Sequence, residues 1–553
     1  MGAAMGKTVL VRPPVDVLHK FSKPVECLGI AYCAGALRHH GIDVTMLDGM
    51  LYDWSEEETV RRILDERPEV VGFTVILNHF PEQTARVCRM LREAGYGGHI
   101  VIGGHAVSFI PRRVLEANPA VDAVVSGEGE GPIVGYAQAV RNGDDPRLVP
   151  GVYARWEGDI RWKPAPRNHN LDTLAPPARD LTREIIDLDG LVCVSTSRGC
   201  YARCTFCSIP RFYGLERDRP LANGGWLARS VAHTVAEIAD LHERFGLIEL
   251  LVVDDEFFGG TEAGHERAFM IGQELEGLNL PVGFAMSCRA ENVDERVLTA
   301  LARGGLKHVF VGLETGDDET LRLYGKGQSV RQNLEAVRVI KSLGLSFQPG
   351  FMMFNHRTTL PELRANFEFL RSIDELKPVT VNSAVDPHFG TPLNRVIEHD
   401  GALRDHGATL SSEYLDPRTA TAKRVAELTA ARFAPFQEVI AGLQSSVTYE
   451  WRRTVPGRSP EVARSIDRFE TLCNEAFIRV VEQTVEELSS ADTPTAEEAV
   501  ADANRRLDEV QSRMALAKAL LLTSVAKMEG SARYFTQNDI IAMSRERRQE
   551  VTV

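Results

Sequence analysis

Two rhythms of apolar and polar positions share the first 145 residues. Short apolar runs at Thr8–Arg12, Asp43–Leu47, Val70–Val75, His99–Ile102 and Val121–Val125 have the length of buried strands. Between them, Cys27–His40, Glu56–Glu66 and Pro81–Ala94 carry helical spacing, with Gly41 and Gly95 as stops. Five strands separated by helices predict a doubly wound parallel sheet of Rossmann-like type. Such sheets take ligands beyond the carboxyl ends of their strands, at the topological switch point. Gly103, Gly104 and His105 follow the fourth run, and Gly127, Glu128 and Gly129 follow the fifth. Glycines there let backbone approach a ligand closely. No G-x-G-x-x-G follows the first run, so the dinucleotide fingerprint is missing.

Residues 146–188 lose this periodicity. They are rich in Pro, Asp and Arg, as in Lys163-Pro-Ala-Pro-Arg167 and Ala175-Pro-Pro-Ala-Arg179, and are expected to form a connector. From 189 to 395 the alternation returns, with strand runs at Leu191–Ser195, Ile248–Val253, Val282–Ser287, His308–Gly312, Ser346–Phe354 and Val379–Ser383 and a helix at Val231–Phe245. Six parallel β/α units predict a partial (β/α)6 barrel with its chemistry at the strands' carboxyl ends. Polar residues fall at those ends: Asp254, Asp255 and Glu256, then Ser287 and Arg289, then Glu314. From 396 to 553 the strand pattern is absent. Phe469, Leu472, Cys473, Ala476, Phe477, Val480 and Val481 make one helical stripe, and Asp502–Met528 reads as another helix. A C-terminal helical module on the open side of the barrel is expected.

Composition narrows the partners. The chain has 553 residues and a net charge of −14, which argues for several domains and against nucleic acid as the main partner. No apolar stretch has the roughly 18–20 residues of a membrane span, and no signal-peptide layout opens the chain. A cytoplasmic protein with no membrane partner is expected. Of nine cysteines, Cys27, Cys33, Cys88, Cys193, Cys288 and Cys473 are scattered in apolar contexts and read as buried thiols of a reducing compartment.

The other three, Cys200, Cys204 and Cys207, stand at C-x3-C-x2-C in Ser-Arg-Gly-Cys-Tyr-Ala-Arg-Cys-Thr-Phe-Cys, just beyond an apolar run. Closed zinc sites and ordinary iron–sulfur clusters use four protein ligands. Three thiolates on one loop suggest a [4Fe–4S] cluster with one iron left open. An incomplete zinc knuckle and unliganded buried thiols are the alternatives.

This loop resembles the signature of the radical S-adenosylmethionine (SAM) superfamily. The segments GIAYCAGALRHHGIDVTMLD, VIGGHA and VDAVVSGEGE resemble the cobalamin-binding domain that precedes it in one large subfamily, and LDTLAPPARDL resembles that subfamily's connector. The resemblance implies three cofactors: the cluster, SAM and cobalamin. It implies that SAM's amino and carboxylate groups bind the open iron, with Phe206 near the adenine. Glu314 matches a position contacting SAM ribose or amino group, Gly350 lies on the adenine-side strand, and Ser287 and Arg289 are candidates for hydroxyls or the carboxylate. Asp254, Asp255 and Glu256 stand where the family usually has Gly-Gly-Glu, which leaves open which of the three meets the SAM amino group. Thr74, Asn78, Gly103, Gly104, His105, Gly127, Glu128 and Gly129 are the expected cobalamin contacts. The Asp-x-His-x-x-Gly motif that ligates cobalt is absent. Val15–Ser22 has the wrong Asp-to-His spacing, so cobalamin without a His19 ligand is expected.

The activity implied is radical C-methylation of a small-molecule or natural-product intermediate, with an external electron donor of flavodoxin or ferredoxin type. Tyr213, Tyr324 and His388 are candidate substrate-side groups. Rearrangement or cyclisation, and a non-catalytic corrinoid or iron–sulfur sensor, are the alternatives. An RNA methylthiotransferase would want three further cluster cysteines in the first domain and a basic RNA-binding tail; Cys27, Cys33 and Cys88 fall on helical patterns and not on strand-end loops, and the chain is acidic.

Overall fold

The computed structural model describes residues 6–14, 24–75, 81–156, 159–188, 190–214, 225–443 and 460–529. The first domain runs β1 (Thr8–Arg12), α1 (Leu28–His39), β2 (Val44–Asp48), α2 (Glu56–Asp65), β3 (Val70–Thr74), α3 (Pro81–Glu93), β4 (His99–Gly103), α4 (Pro111–Ala117), β5 (Ala123–Val125) and α5 (Glu130–Asn142). Its sheet has the order β2-β1-β3-β4-β5, all parallel. The order reverses between β1 and β3, so the switch point lies at Leu10 and Phe73 and opens at their carboxyl ends. Arg12 closes β1 with a buried fork to Asp48, at 2.7 Å from Nε and 2.5 Å from Nη2. Its Nη1 donates to the Val25 carbonyl at 2.7 Å.

The expected connector is part of this sheet. β6 (Val152–Trp156) and β7 (Asp159–Arg161) add antiparallel strands to the β5 edge. The Pro-rich signal holds only further on, where 162–170 has no regular structure.

The second domain runs α6 (Thr182–Asp187), β8 (Val192–Val194), β9 (Ser197–Arg198), α7 (Ile209–Phe212), β10 (Leu227–Ala228), α8 (Val231–Phe245), β11 (Glu249–Val252), α9 (Glu262–Leu278), β12 (Gly283–Arg289), α10 (Glu295–Arg303), β13 (Leu306–Glu314), α11 (Asp318–Leu323), α12 (Val330–Ser342), β14 (Ser346–Phe351), α13 (Leu360–Ser372), α14 (Pro378–Val381) and α15 (Leu393–His399). Strands β8, β11, β12, β13 and β14 are neighbours in chain order and parallel, which makes an open arc.

The sixth strand expected at Val379–Ser383 is not formed. Pro378 sits in the first turn of a short helix, where a missing N–H costs nothing, and the Thr380 hydroxyl accepts from Lys377 N at 3.1 Å. That turn overrides the β-branched preference of Val379, Thr380 and Val381. Only an isolated bridge, Phe354 to Ala384, continues the arc.

The domains are sewn together at the β8 edge. Val25 forms a parallel bridge to Leu191, and the Glu26 carboxylate accepts from Cys193 N at 2.9 Å and Thr182 Oγ1 at 2.7 Å. Arg179, from the Pro-Pro-Ala-Arg segment, ties Glu26 at 2.5 Å to Glu237 at 2.6 Å. Truncating Arg179 to alanine leaves the buried Glu26 carboxylate without its cation, while Glu237 keeps Arg229. A loss of about 3–5 kcal/mol is expected, read as a lowered urea midpoint.

Beyond α15 come a hairpin, β15 (Leu403–Asp405) and β16 (Leu410–Ser412), and three long helices, α16 (Pro417–Leu443), α17 (Pro460–Leu488) and α18 (Ala496–Glu529). The hairpin departs from the all-helical expectation. Most of the helical stripe is as expected: Phe469, Cys473, Phe477, Val480 and Val481 are buried in the same core as the outer face of the arc and Ala476 packs against it, but Leu472 is exposed. Helix α17 packs on α13 and α14, beside the arc's last strand.

Candidate functional site: a loop of three cysteines beside a cavity between two sheets

Strand alternation decides what each sheet face carries. In the arc, Leu250, Val252, Phe284, Met286, Cys288, Val309, Val311 and Leu313 point into the helix-covered core. The opposite parity carries Ser287, Arg289, Gly312, Glu314 and Gly350, all near carboxyl ends. Cys288 is therefore turned away from the cysteine loop, although it neighbours Arg289 in sequence.

The loop leaves β9 through Gly199. Its φ of +83° and the 2.4 Å approach that a Cβ would make to the Gly225 carbonyl leave room for glycine alone. Cys204 is buried, and Cys200 and Cys207 are half-buried. Burial pushes the Cys200 and Cys207 thiols up to about 12, so iron would have to displace their protons. Among the described residues no three His, Cys, Asp or Glu converge on a single ion. A cluster does not ask for convergence, because each cysteine would hold a different iron. Arg289 Nη1 donates to Cys204 Sγ at 3.0 Å, while Glu291 holds the same guanidinium at 2.8 and 3.1 Å. Phe206 packs edge-on to Tyr324, centroids 5.2 Å apart. Three thiols on one glycine-launched loop, with a cation on one sulfur, are a donor set that fits a [4Fe–4S] cluster.

The three acids after β11 have separate duties. Asp254 is locked by Thr196 N at 2.7 Å, Thr196 Oγ1 at 2.5 Å and Ser197 Oγ at 2.8 Å. Glu256 is fully buried, takes Asn292 Nδ2 at 2.7 Å and accepts from Gly259 N. Asp255 accepts from Gly199 N at 3.0 Å and faces the cavity. Its side chain is exposed to the cavity, but the protein mass crowded around it, with the nearby Asp254, pushes it up to about 6. On the other flank Glu314 has a φ of +69°, an uncommon backbone state for a residue with a Cβ. It is held by an ion pair with buried Lys326. The carbonyl of Lys326 accepts from Arg289, so Cys204, Arg289, Lys326 and Glu314 form one chain. Lys326 was missed in the sequence. Its only signal was the pair of glycines around it, which gives no partner.

A cavity of about 300 Å³ lies between the two sheets. Thr74, Gly103, Gly104, His105, Gly127, Glu128 and Gly129 all line it, as expected for a ligand of the first domain. Asn78 and the 15–22 segment lie outside the described residues. Gly104 has φ +110°, and a Cβ there would stand 2.5 Å from the Val75 carbonyl oxygen. Leu10, Leu28, Ile30, Phe73 and Ile133 make the rest of the floor apolar, while Arg198, Tyr213 and Asp255 face it from the second domain. A glycine and aliphatic floor with a polar far wall suits a flat amphipathic ligand such as a corrinoid. Of the other substrate-side candidates, Tyr324 is buried under Phe206 rather than in the cavity. His388 is half-exposed on a loop whose Gly390 touches Phe109.

Arg198 and Ser208 were not anticipated. Arg198 forks to Glu128 and Glu130, each at 2.6 Å, and Ser208 Oγ lies 2.7 Å from His105 Nε2. The His105 ring stacks on Phe212 at 4.7 Å. Burial, with the His388 charge, pulls His105 down to about 4. A histidine depressed in the fold contributes stability that is complete above its unfolded value near 6.5. That stability is lost as pH falls from there towards 4. The loss of Tm between pH 7 and pH 5 is therefore expected to be smaller in His105→Gln than in the parent, by the equivalent of about 1–2 kcal/mol.

The comparisons agree with this geometry. Residues 14–137 match the B12 binding domain model, and residues 194–369 match the radical SAM superfamily model. An uncharacterised methyltransferase of Pyrococcus horikoshii is 28% identical over 66% of this chain and 78% of its own length. The hopanoid C-3 methylase of Methylococcus capsulatus is 26% identical over 70% of this chain and 71% of its own. The solved structure of the cobalamin-dependent SAM radical enzyme OxsB, with aqua-cobalamin and SAM bound, superposes with a TM-score of 0.75 at 19% identity, covering 99% of this chain and 84% of that one. Across eight curated relatives the matched share of their own length runs from 51% to 78%.

The chain thus joins a B12-binding domain to a radical SAM domain and is an enzyme of the cobalamin-dependent radical SAM type. In fold and domain order it resembles the solved cobalamin-dependent radical SAM enzyme OxsB, and its cofactors are cobalamin, SAM and a [4Fe–4S] cluster. Among the described residues no helix is long and apolar enough to cross a membrane.

Proposed function

We propose that this enzyme transfers a methyl group to a carbon of a small-molecule intermediate. One observation supports it most: the cavity lined by the first domain's glycine loops is also lined by Arg198, two residues before Cys200, and by Asp255, which accepts from Gly199 N, so two cofactors and a substrate could meet between the domains. Bound there, cobalamin would supply the methyl group, and the cluster with SAM would supply a carbon-centred radical.

The protein's part is to hold and orient. Cys200, Cys204 and Cys207 would hold iron. Arg289, already on Cys204 Sγ, suits the SAM carboxylate. Of the three acids, Asp255 alone stays accessible, because Asp254 and Glu256 are engaged in their own turns. That makes Asp255 the acid for the SAM amino group or for substrate. Glu314 and Gly350, on the adjoining strand ends, take the remainder of SAM. Thr74 and the Gly103–His105 and Gly127–Gly129 loops hold cobalamin. Cluster reduction requires an outside one-electron donor of flavodoxin or ferredoxin type.

The test is to incubate the anaerobically purified, iron- and cobalamin-loaded enzyme with reductant, SAM and candidate substrates, and to analyse the products by mass spectrometry. Radical methylation gives 5′-deoxyadenosine and S-adenosylhomocysteine together. S-adenosylhomocysteine alone would mean polar methyl transfer. Deoxyadenosine alone would mean rearrangement, and neither product would defeat the assignment.

A further inference from the structure

The cysteine loop is fastened at both ends to the opposite domain. Arg198 stands two residues before Cys200, and its guanidinium forks to Glu128 and Glu130. The same guanidinium lies over the Tyr32 ring, 4.9 Å from the centroid. Ser208 stands one residue after Cys207 and is hydrogen-bonded to His105. Gly199, between Arg198 and Cys200, is tied to Asp255 on the cavity wall.

The partners in the first domain are not its framework. Glu128, Glu130 and His105 lie on or beside the glycine turns that line the cavity. Those turns include Gly104 at φ +110° and Gly127 at φ +90°. Domain attachment has its own device, the Glu26–Arg179–Glu237 network at the β8 edge. The contacts at Arg198 and Ser208 are therefore extra to holding the domains together. They join the cavity turns to the residues that flank the cysteines.

We propose that Arg198 and Ser208 are positioning residues that couple the two cofactor sites, so that a corrinoid settling the Gly103–His105 and Gly127–Glu130 turns also sets the cysteine loop, and the reverse. This rests on the functional reading above. Linkage makes the coupling reciprocal: whatever factor the cluster adds to cobalamin affinity, cobalamin adds to the loop's cluster-competent state. Two rigid charge-assisted bonds at one end and a short hydrogen bond at the other supply the physical connection.

The experiment measures the dissociation constant of hydroxocobalamin by tryptophan fluorescence quenching. The full chain is used with and without reconstituted cluster, as wild type, Ser208→Ala and Arg198→Gln. Electron paramagnetic resonance of the reduced cluster is recorded with and without cobalamin. In the wild type the cluster is expected to tighten cobalamin by about 10-fold. The factor falls to within about twofold of unity in Arg198→Gln and to an intermediate value in Ser208→Ala. The cluster signal should change on cobalamin addition in the wild type and not in Arg198→Gln.

A wild-type factor of one, or an undiminished factor in both variants, overturns the proposal. Should Arg198→Gln fold poorly because Glu130 loses its cation and Glu128 keeps only Arg167, Ser208→Ala decides, since it removes a single hydroxyl. Binding of both cofactors without mutual effect would defeat the coupling alone. Absence of iron or of cobalamin binding would defeat the functional reading and the coupling with it.

Discussion

Cys204→Ala is expected to abolish reductive SAM cleavage and to lower bound iron to background, while cobalamin binding changes by no more than the coupling factor. Cys204 is the buried member of the trio and the sulfur that Arg289 touches. Removing it takes one of three thiolates from a loop with no reserve. Cys288 is the nearest in sequence to Arg289, but it points into the helix-covered core. The fold should survive. Arg289 keeps Glu291 and the Lys326 carbonyl, so one lost hydrogen bond costs about 1 kcal/mol. Cys473→Ala is the control. Cys473 is as deeply buried, but sits in the C-terminal core, and its loss should leave iron content intact. Iron analysis and deoxyadenosine quantification check both variants. Full iron in Cys204→Ala would remove the cysteine loop from consideration.

Gly104→Ala is expected to produce the complementary loss, with cobalamin affinity down by about 10- to 100-fold and iron content unchanged. The residue combines a φ of +110° with a Cβ position 2.5 Å from the Val75 carbonyl. Backbone strain of this kind costs on the order of 1–3 kcal/mol, and the clash is with main chain that cannot rotate away. Relief requires the floor of the cavity to shift. Gly127 offers an internal comparison. It has φ +90°, but a Cβ there meets nothing within 4 Å. Gly127→Ala should carry strain alone and lose less affinity. Equal losses at the two positions would show that conformational strain, and not the close approach to Val75, governs the site.

The two losses together would separate the sites that the sequence separates. Much of that separation was legible because it is written locally. The period-two and helical runs of the first domain matched observed elements to within a few residues, from Thr8–Arg12 to the strand at Ala123–Val125. The cysteine spacing and the strand-end glycines are likewise local signals. The failures share a cause. Residues 152–161 fall within the expected connector because two short strands on a sheet edge have no periodicity long enough to read. Val379–Ser383 reads as strand because β-branched residues dominate it, whereas Pro378 and the Thr380 hydroxyl settle a helical turn.

The sequence by itself determined that two α/β units are present, that three cysteines share one loop, and that flexible glycines end the strands of the first unit. These properties depend on residues within a few positions of one another. Only the tertiary structure decided that Arg198 meets Glu128 and Glu130, that Lys326 holds Glu314, and that Asp255 rather than Asp254 or Glu256 faces the cavity. The first two are pairings of charges brought together by tertiary packing, and the third is a choice among neighbouring acids made by their hydrogen-bond partners. A charged residue names its possible partners by sign alone, and distance along the chain does not choose among them.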